Sequence, residues 1–278
     1  MNQARFAARR AAFRKLHASG CFVIPNPWDA GSAHALAVLG FKALATTSSG
    51  SAWTRAKPDH VPDVDEVLAY CREIVDATDL PVNADFEDGH AHDIAGLKRN
   101  VQRCIEIGVA GLSIEDSTGD AAQPLYDFDE AVARMRAARA AIDASGEDVM
   151  LVGRAECFLV GHADALNESV KRLRAYAEAG ADCLYAPGAG NLDDIKAIVA
   201  AAAPKPVNVL VGHPVPYTKA DLAHAGVRRI SVGGALAGAA WGGFLRAARG
   251  LAEGRFDGFA DNASHGDLNA LCNSVPPA

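Results

Sequence analysis

At 278 residues, with 50% hydrophobic and 22% charged side chains, the chain has an ordinary globular composition and material for a large core. A formal net charge of -7 and the lack of any Lys/Arg-rich run interleaved with aromatics argue against nucleic acid as a partner, and no apolar stretch reaches the length of a membrane span. Six scattered cysteines without a C-x-x-C pair speak against structural zinc or a disulfide framework and suit a cytoplasmic location.

The N-terminal stretch "MNQARFAARRAAFRKLHASG" is basic and Ala-rich like a transit peptide. It reads better as an amphipathic helix over about 2–18, with Phe6, Phe13 and Leu16 on or near one face. Beyond it the chain alternates two kinds of segment. Short β-branched runs fall at 21–26, 43–49, 81–86, 111–116, 149–156, 183–188, 207–212 and 229–234. Ala/Leu-rich stretches of helical period lie between and after them, at roughly 30–40, 64–77, 93–108, 127–144, 163–180, 192–203, 218–226 and 235–252. Eight such units in about 230 residues, with no linker, predict a single α/β domain over 1–278, a closed (β/α)8 TIM barrel; a doubly wound open sheet is the alternative. Glycines in "AVLGFKA", "EIGVAGL", "EAGADCL" and "HAGVRRI" stand where helices stop, which supports this register. Residues 254–278 break the pattern and form a tail that packs on this barrel or on a neighbouring subunit.

Catalytic groups of such barrels lie at the C-terminal strand ends. Here those ends bring together Trp28, Thr47, Ser49, Gly50, Asp85, Glu87, Glu115, Arg154 and Asn208. Asp85 and Glu87 share one side of a strand if alternation continues through "PVNADFEDG", and Glu115 projects from the next strand. Three oxygen donors suit a hard cation such as Mg²⁺, although acids at strand ends also cap helices or pair with Lys98 and Arg99. Arg154, in the apolar run "VMLVGRAE", has a planar fork suited to a substrate carboxylate; ion pairing with Glu156 or Glu115 is the other reading. "TTSSGS" offers backbone N–H groups to an anion, or is a plain turn. Trp28 is expected to wall the pocket, His90 and His213 stay open, and Asp88, His92 and Asp93 read as loop or helix-capping residues.

These motifs, in order, resemble the isocitrate lyase/phosphoenolpyruvate mutase superfamily over about residues 18–250. "IPNPWDAGSAHALAVLGFKALATTSSG" resembles its opening strand, helix and Ser-Gly turn, "DFEDG" its D-x-D-x-G, "GLSIED" its G-x-x-I-E-D and "VGRAE" its A-R-x-E/D strand. The resemblance implies a barrel that binds Mg²⁺ and a small oxo- or enol-carboxylate. Asp85 would contact the metal, Glu87 and Glu115 would hold its water shell, and Asp59 would stand nearby. Ser49 and Gly50 would give backbone contacts to the substrate, and Arg154 and Asn208 would bind it. It also implies a homo-oligomer, dimer or tetramer, that exchanges C-terminal helices. The chain departs from the family at 117–130, "STGDAAQPLYDFDE", which lacks the Lys, Cys, His or Asn of the family's lid. The expected function is a Mg²⁺-dependent lyase on a small 2-oxo or 2-hydroxy (di)carboxylate, by oxaloacetate-type decarboxylation or C–C cleavage. A 2-oxo-acid binding protein and phosphonopyruvate hydrolysis or phosphoenolpyruvate mutation are the alternatives.

Overall fold

Alternation along a strand sorts side chains between a barrel interior and a surrounding helix layer, and the computed structural model, which describes residues 2–277, shows both destinations. β1 (Phe22–Ile24), β2 (Leu44–Ala45), β3 (Val82–Asp85), β4 (Gly111–Glu115), β5 (Met150–Arg154), β6 (Cys183–Tyr185), β7 (Val207–Leu210) and β8 (Arg229–Ser231) run parallel. They pair in the order β1-β8-β7-β6-β5-β4-β3-β2. The remaining gap is spanned by the Ala45 N–H, which donates to the Pro25 carbonyl at 3.1 Å. Asn26 fastens the same seam, donating to the Thr46 carbonyl at 2.8 Å and accepting from the Val232 and Gly233 N–H groups at 2.9 Å. The fold is the expected (β/α)8 barrel rather than an open sheet.

The helices are α1 (Asn2–Ala18), α2 (Ala30–Val38), α3 (Ser48–Thr54), α4 (Val64–Ala77), α5 (Ile94–Ile107) and α6 (Phe128–Ser145). They continue with α7 (Ala165–Glu178), α8 (Leu192–Ala202), α9 (Lys219–His224), α10 (Ala235–Ala252) and α11 (His265–Asn273). Outward residues such as Ala84, Leu112, Ile114, Leu151 and Val209 join the core under these helices. Inward residues Ile24, Ala45, Met150, Val152, Cys183 and Tyr185 form a second cluster around Phe13 of α1. α1 therefore plugs the N-terminal mouth of the barrel. The run 43–49 corrects one expectation: strand β2 stops at Ala45 and the Ser-Gly stretch begins helix α3, with Thr47 as its N-cap.

The basic character of α1 has a structural cause. Arg9 donates to the Val75 carbonyl in the last turn of α4 at 3.0 Å and to the Thr78 carbonyl that follows; Arg10 donates to the Ile105 carbonyl in the last turn of α5 at 3.1 Å. Guanidinium groups there satisfy carbonyls left without partners and complement the negative helix ends. Phe6 lies so close to Gly108 that a Cβ would sit 2.3 Å from its ring, and Gly108 also takes the left-handed conformation (φ 99°) that ends α5. At the other end, residues 254–277 form a 3-10 turn (Asp257–Phe259) and α11, which lies against α2 of the same chain. The His34 Nε2 hydrogen-bonds the Leu271 carbonyl at 3.1 Å. No helix among the described residues is long and apolar enough to cross a membrane.

His17 of α1 is buried between the rings of Phe13 and Phe22, with centroids 4.6 and 5.1 Å away, and its Nδ1 hydrogen-bonds the Phe13 carbonyl at 2.9 Å. Burial, reinforced by the charge of Arg229, pushes it down to about 3. The unfolded chain then binds the extra proton below about pH 6.5, so stability falls as pH drops from there toward 3. Between pH 7.5 and 5 this group is expected to cost about 2 kcal/mol. Denaturant unfolding of wild type and His17→Gln at both pH values checks it: the variant should lose that part of the pH slope, and equal slopes would refute the assignment.

Candidate active site

β3, β4 and β5 are neighbours in register, with Asp85 opposite Ser113 and Glu115 opposite Arg154. That pairing assembles the most highly charged cluster at the barrel mouth. Arg154 Nη1 lies 3.0 Å from Asp85 Oδ1 and 3.1 Å from Glu115 Oε2, and its Nε donates to Glu156. The ion-pair reading of Arg154 holds, and the residue also lines a cavity at the mouth. Burial works to lower its pKa, yet the Glu115, Glu156 and Asp85 charges hold it well above the ordinary arginine value. Burial drives Glu115 and Glu156 upward, against the pull of Arg154, because three carboxylates share one cation. Asp116, next to Glu115, is committed to structure. It accepts from Tyr176 Oη at 2.6 Å and Arg172 Nη1 at 3.0 Å, and from the Glu156 N–H at 2.8 Å, which fixes Glu156 beneath Arg154.

A cavity of about 160 Å³ opens above this cluster, lined by Asp85, Arg154, Asp59, Thr47, Ser49 and Tyr185 among others. The Ser48 N–H donates to Asp85 Oδ2 at 3.2 Å, so the start of α3 orients that carboxylate. Burial raises Asp59, opposed by neighbouring His60 and a hydrogen bond from Ser48. The tyrosine ring of Tyr185 receives Arg154 at 5.3 Å, a cation–π contact that supports the guanidinium from one side.

Four expected site residues fall elsewhere. Glu87 does not continue the alternation of β3, which ends at Asp85; its φ of 44° turns the chain and sends its side chain into a second cavity of about 450 Å³. There it accepts from His60 at 3.3 Å, with His90 3.8 Å away, and that hydrogen bond raises His60 to about 9. Glu115 lines this second cavity as well. Trp28 does not wall the charged cavity but an apolar one beside Trp241 and Phe244. Asn208 is 1% exposed and does not line the cavity; it is covered by Arg229 and Ser231, which do. The Gly50 N–H donates to the capping Thr47 Oγ1 at 3.3 Å, so it is occupied rather than offered to a ligand. A side chain at Gly50 would strike Thr47 at 2.7 Å, which accounts for the glycine.

The short 117–130 segment folds as a tight hairpin, with Ser117 bridged to Leu125 and the Tyr126 N–H donating to the Asp116 carbonyl at 2.9 Å. Asp88 anchors it: Tyr126 Oη donates to Asp88 Oδ2 at 2.7 Å and Arg134 adds an ion pair at 3.2 Å. Asp88 is therefore more than a loop acid, whereas Asp93 caps α5 as expected, accepting from the Gly96 N–H at 2.6 Å. His60 and Arg229 were missed from the sequence. His60 sits in the loop "AKPDH" with φ of 60°, and nothing in its neighbours' types announces that turn; Arg229 shares the inward parity of Ser231, a signal that was available.

Oxygen donors dominate the mouth. Among the described residues no three His, Cys, Asp or Glu side chains stand ready to cage a cation unaided. A bound ion would complete its shell with water or substrate oxygens, as Mg²⁺ commonly does.

Fold and site together are those of a (β/α)8 barrel whose charged residues gather at the C-terminal strand ends, where the active sites of enzymes with this fold lie. Residues 13–252 match the family model for phosphoenolpyruvate phosphomutase. A Burkholderia cenocepacia J2315 protein of lyase/mutase designation superposes with a TM-score of 0.93 and 42% identity over 97% of this chain and 98% of that one. Oxaloacetate acetylhydrolase in complex with oxalate gives a TM-score of 0.85 at 26% identity, covering 96% and 94%. An oxaloacetate decarboxylase from Bradyrhizobium sp. (strain ORS 278) is 31% identical over 82% of this chain and 78% of its own length. The chain belongs to the phosphoenolpyruvate phosphomutase family of the isocitrate lyase/phosphoenolpyruvate mutase superfamily, and is an enzyme of its carbon–carbon lyase or mutase type.

Replacing Arg154 by Met leaves Asp85, Glu115 and Glu156 without their counter-ion. Removing one partner from such a buried set costs on the order of 3–5 kcal/mol. The folded carboxyls would then bind protons more readily than the unfolded ones, so the penalty should be larger at pH 8 than at pH 5. Urea unfolding at the two pH values measures it; an equal or smaller loss at pH 8 would show that the three acids do not depend on Arg154.

Proposed function

We propose that the protein is a divalent-metal-dependent lyase, using Mg²⁺, that decarboxylates or cleaves a small 2-oxo or 2-hydroxy (di)carboxylate of the oxaloacetate type. The observation that carries this reading is the surplus of acid around one arginine. Among the described residues Asp85, Glu115 and Glu156 share Arg154 as their one ion-pair partner, while Asp59 lines the same cavity. A cluster so short of positive charge favours a cation, and its donors are carboxylate oxygens, the set that a hard cation takes. Asp85 would be the direct ligand, with Glu115 and Asp59 acting on its water shell and Glu87 reaching that shell only from the second cavity, which Glu115 also lines. When bound, the ion supplies Lewis-acid polarisation of the substrate's 2-oxo group.

The chain's own residues do the rest. Arg154 holds substrate charge with the fork that faces the cavity, kept in place by Glu115 and Glu156. Ser49 and Thr47 line the adjoining wall and position the substrate's carboxylate. As carbon dioxide leaves, the pair of the broken carbon–carbon bond becomes the carbon–carbon double bond of an enolate, the carbonyl π pair moves onto the oxo oxygen, and Arg154 stabilises the charge that develops there. Returning a proton to the enolate carbon falls to water or to His60, which Glu87 keeps protonated near neutral pH. The hairpin at 117–130 brings no Lys, Cys or His toward the mouth, which favours decarboxylation because its cleavage step needs no acid or base. The exposed apolar side chains of α10, Phe244, Leu245 and Leu251, support the reading that a second copy of the chain seats there.

Incubation with Mg²⁺ and oxaloacetate tests the reaction. Wild type should release pyruvate well above the metal-only background, EDTA should abolish the excess, and Asp85→Ala should lower kcat/KM by a factor of about 100 or more. Equal rates for wild type and Asp85→Ala above background would reject the assignment.

A further inference from the structure

Five arginines of this chain are almost fully buried among the described residues: Arg9, Arg10, Arg134, Arg172 and Arg229. Four of them meet a carboxylate. Arg9 pairs with Asp79, Arg10 with Glu147, Arg134 with Asp88, and Arg172 with Asp116 and Glu168. Arg229, 2% exposed, has no ion pair among the described residues. Its contacts are neutral: Nε donates to Asn208 Oδ1 at 2.8 Å and Nη1 to Asn83 Oδ1 at 3.3 Å. Its charge is felt instead by His17 and the Cys183 thiol. A guanidinium cannot shed its proton to escape burial, and leaving an ion unpaired in a protein interior costs several kcal/mol.

The same residue lines the floor of the charged cavity together with Asn83, Ser113 and Ser231. Barrel interiors are usually closed by layers of branched apolar side chains at this depth. Here the layer is small and polar, with Asn83, Ser113 and Ser231 each at most 5% exposed. Depth follows from the register. Arg229 contacts Asn83, and Asn83 precedes Asp85 by two residues on β3, so the Arg229 guanidinium meets that strand about 7 Å of chain before Asp85. Two guanidinium groups thus face one small cavity at two depths. The upper one is ion-paired with three acids through Nη1 and Nε, and the lower one has no acid partner among the described residues.

We propose that Arg229 anchors a second anionic group of the substrate, so that the site selects a dicarboxylate that enters end-on, with one carboxylate at the level of Arg154 and the other against Arg229, Asn83 and Ser231. This rests on the reading of the cavity as the substrate site. It adds that the distal carboxylate is bound by the barrel floor rather than by the hairpin over the mouth.

The test uses ligands that cannot react. Succinate and succinamate have the same length, and the second carries a neutral amide in place of one carboxylate. Calorimetric titration of the full chain with each, in Mg²⁺, should give wild type at least a tenfold preference for succinate, on the order of one charge-assisted hydrogen bond. Arg229→Met should bind the two ligands within about twofold, and Arg229→Lys should keep part of the preference. Equal binding of the two by wild type, binding of neither, or a preference that survives in Arg229→Met would each overturn the proposal. The wild-type ratio and the lysine variant decide the matter even if the methionine variant does not fold. Because no turnover is involved, discrimination without oxaloacetate decarboxylation would keep the Arg229 assignment and remove the reaction; decarboxylation without discrimination would do the reverse.

Discussion

The ion cluster of Arg154 with Asp85, Glu115 and Glu156 is the constraint on which the rest of the site depends. One buried cation can serve three acids only while strands β3, β4 and β5 keep their register, because the partners sit on or just beyond all three. Further groups hold the acids in place. The Glu156 N–H reaches Asp116, itself fixed by Arg172 and Tyr176, and the Ser48 N–H reaches Asp85 from the start of α3. Such a cluster contributes little to stability by itself, since desolvation offsets most of the attraction. Its consequence is electrostatic: it holds surplus negative charge and a rigid guanidinium at the end of the barrel, and the proposed function rests on that arrangement.

The barrel was legible because strands buried on both faces read as continuous apolar runs and the helices between them keep a 3.6-residue period. The carboxylates of β3 and β4 and the arginine of β5 were legible for a related reason, since strand-end positions follow directly from the strand pattern. What failed were positions whose direction depends on backbone turns. Glu87 follows the last residue of β3 by two, and its positive φ sends it away from Asp85 toward His60. Trp28 faces a separate apolar cavity, Gly50 lies inside α3 with its N–H taken by Thr47, and Asn208 is covered by Arg229 and Ser231, and these are properties of packing that no single strand encodes. Arg229 shares the inward parity of Ser231 but begins β8 rather than ending it, so the rule that places functional groups at strand ends does not reach it.

The trimmed 117–130 segment gains a role from the structure. It is not an open gap over the mouth but a pinned hairpin whose anchor, Asp88, comes from the acid-rich turn after β3. That turn divides its acids among three tasks: Asp85 faces Arg154, Glu87 holds His60, and Asp88 ties down the hairpin. The hairpin itself carries no Lys, Cys or His, so the ionisable groups nearest the mouth are those of the barrel wall and floor. Specificity correspondingly moves inward, toward the polar floor and its unpaired guanidinium.

The central claim is that the mouth lacks positive charge until a divalent cation enters with an anionic ligand. Calorimetric titration of oxalate into the wild-type chain, once in Mg²⁺ and once in EDTA, tests it most directly. The account predicts that Mg²⁺ tightens oxalate binding by at least about tenfold and that oxalate tightens Mg²⁺ by the same factor, as linkage requires. Oxalate binding of equal strength in Mg²⁺ and in EDTA would contradict it.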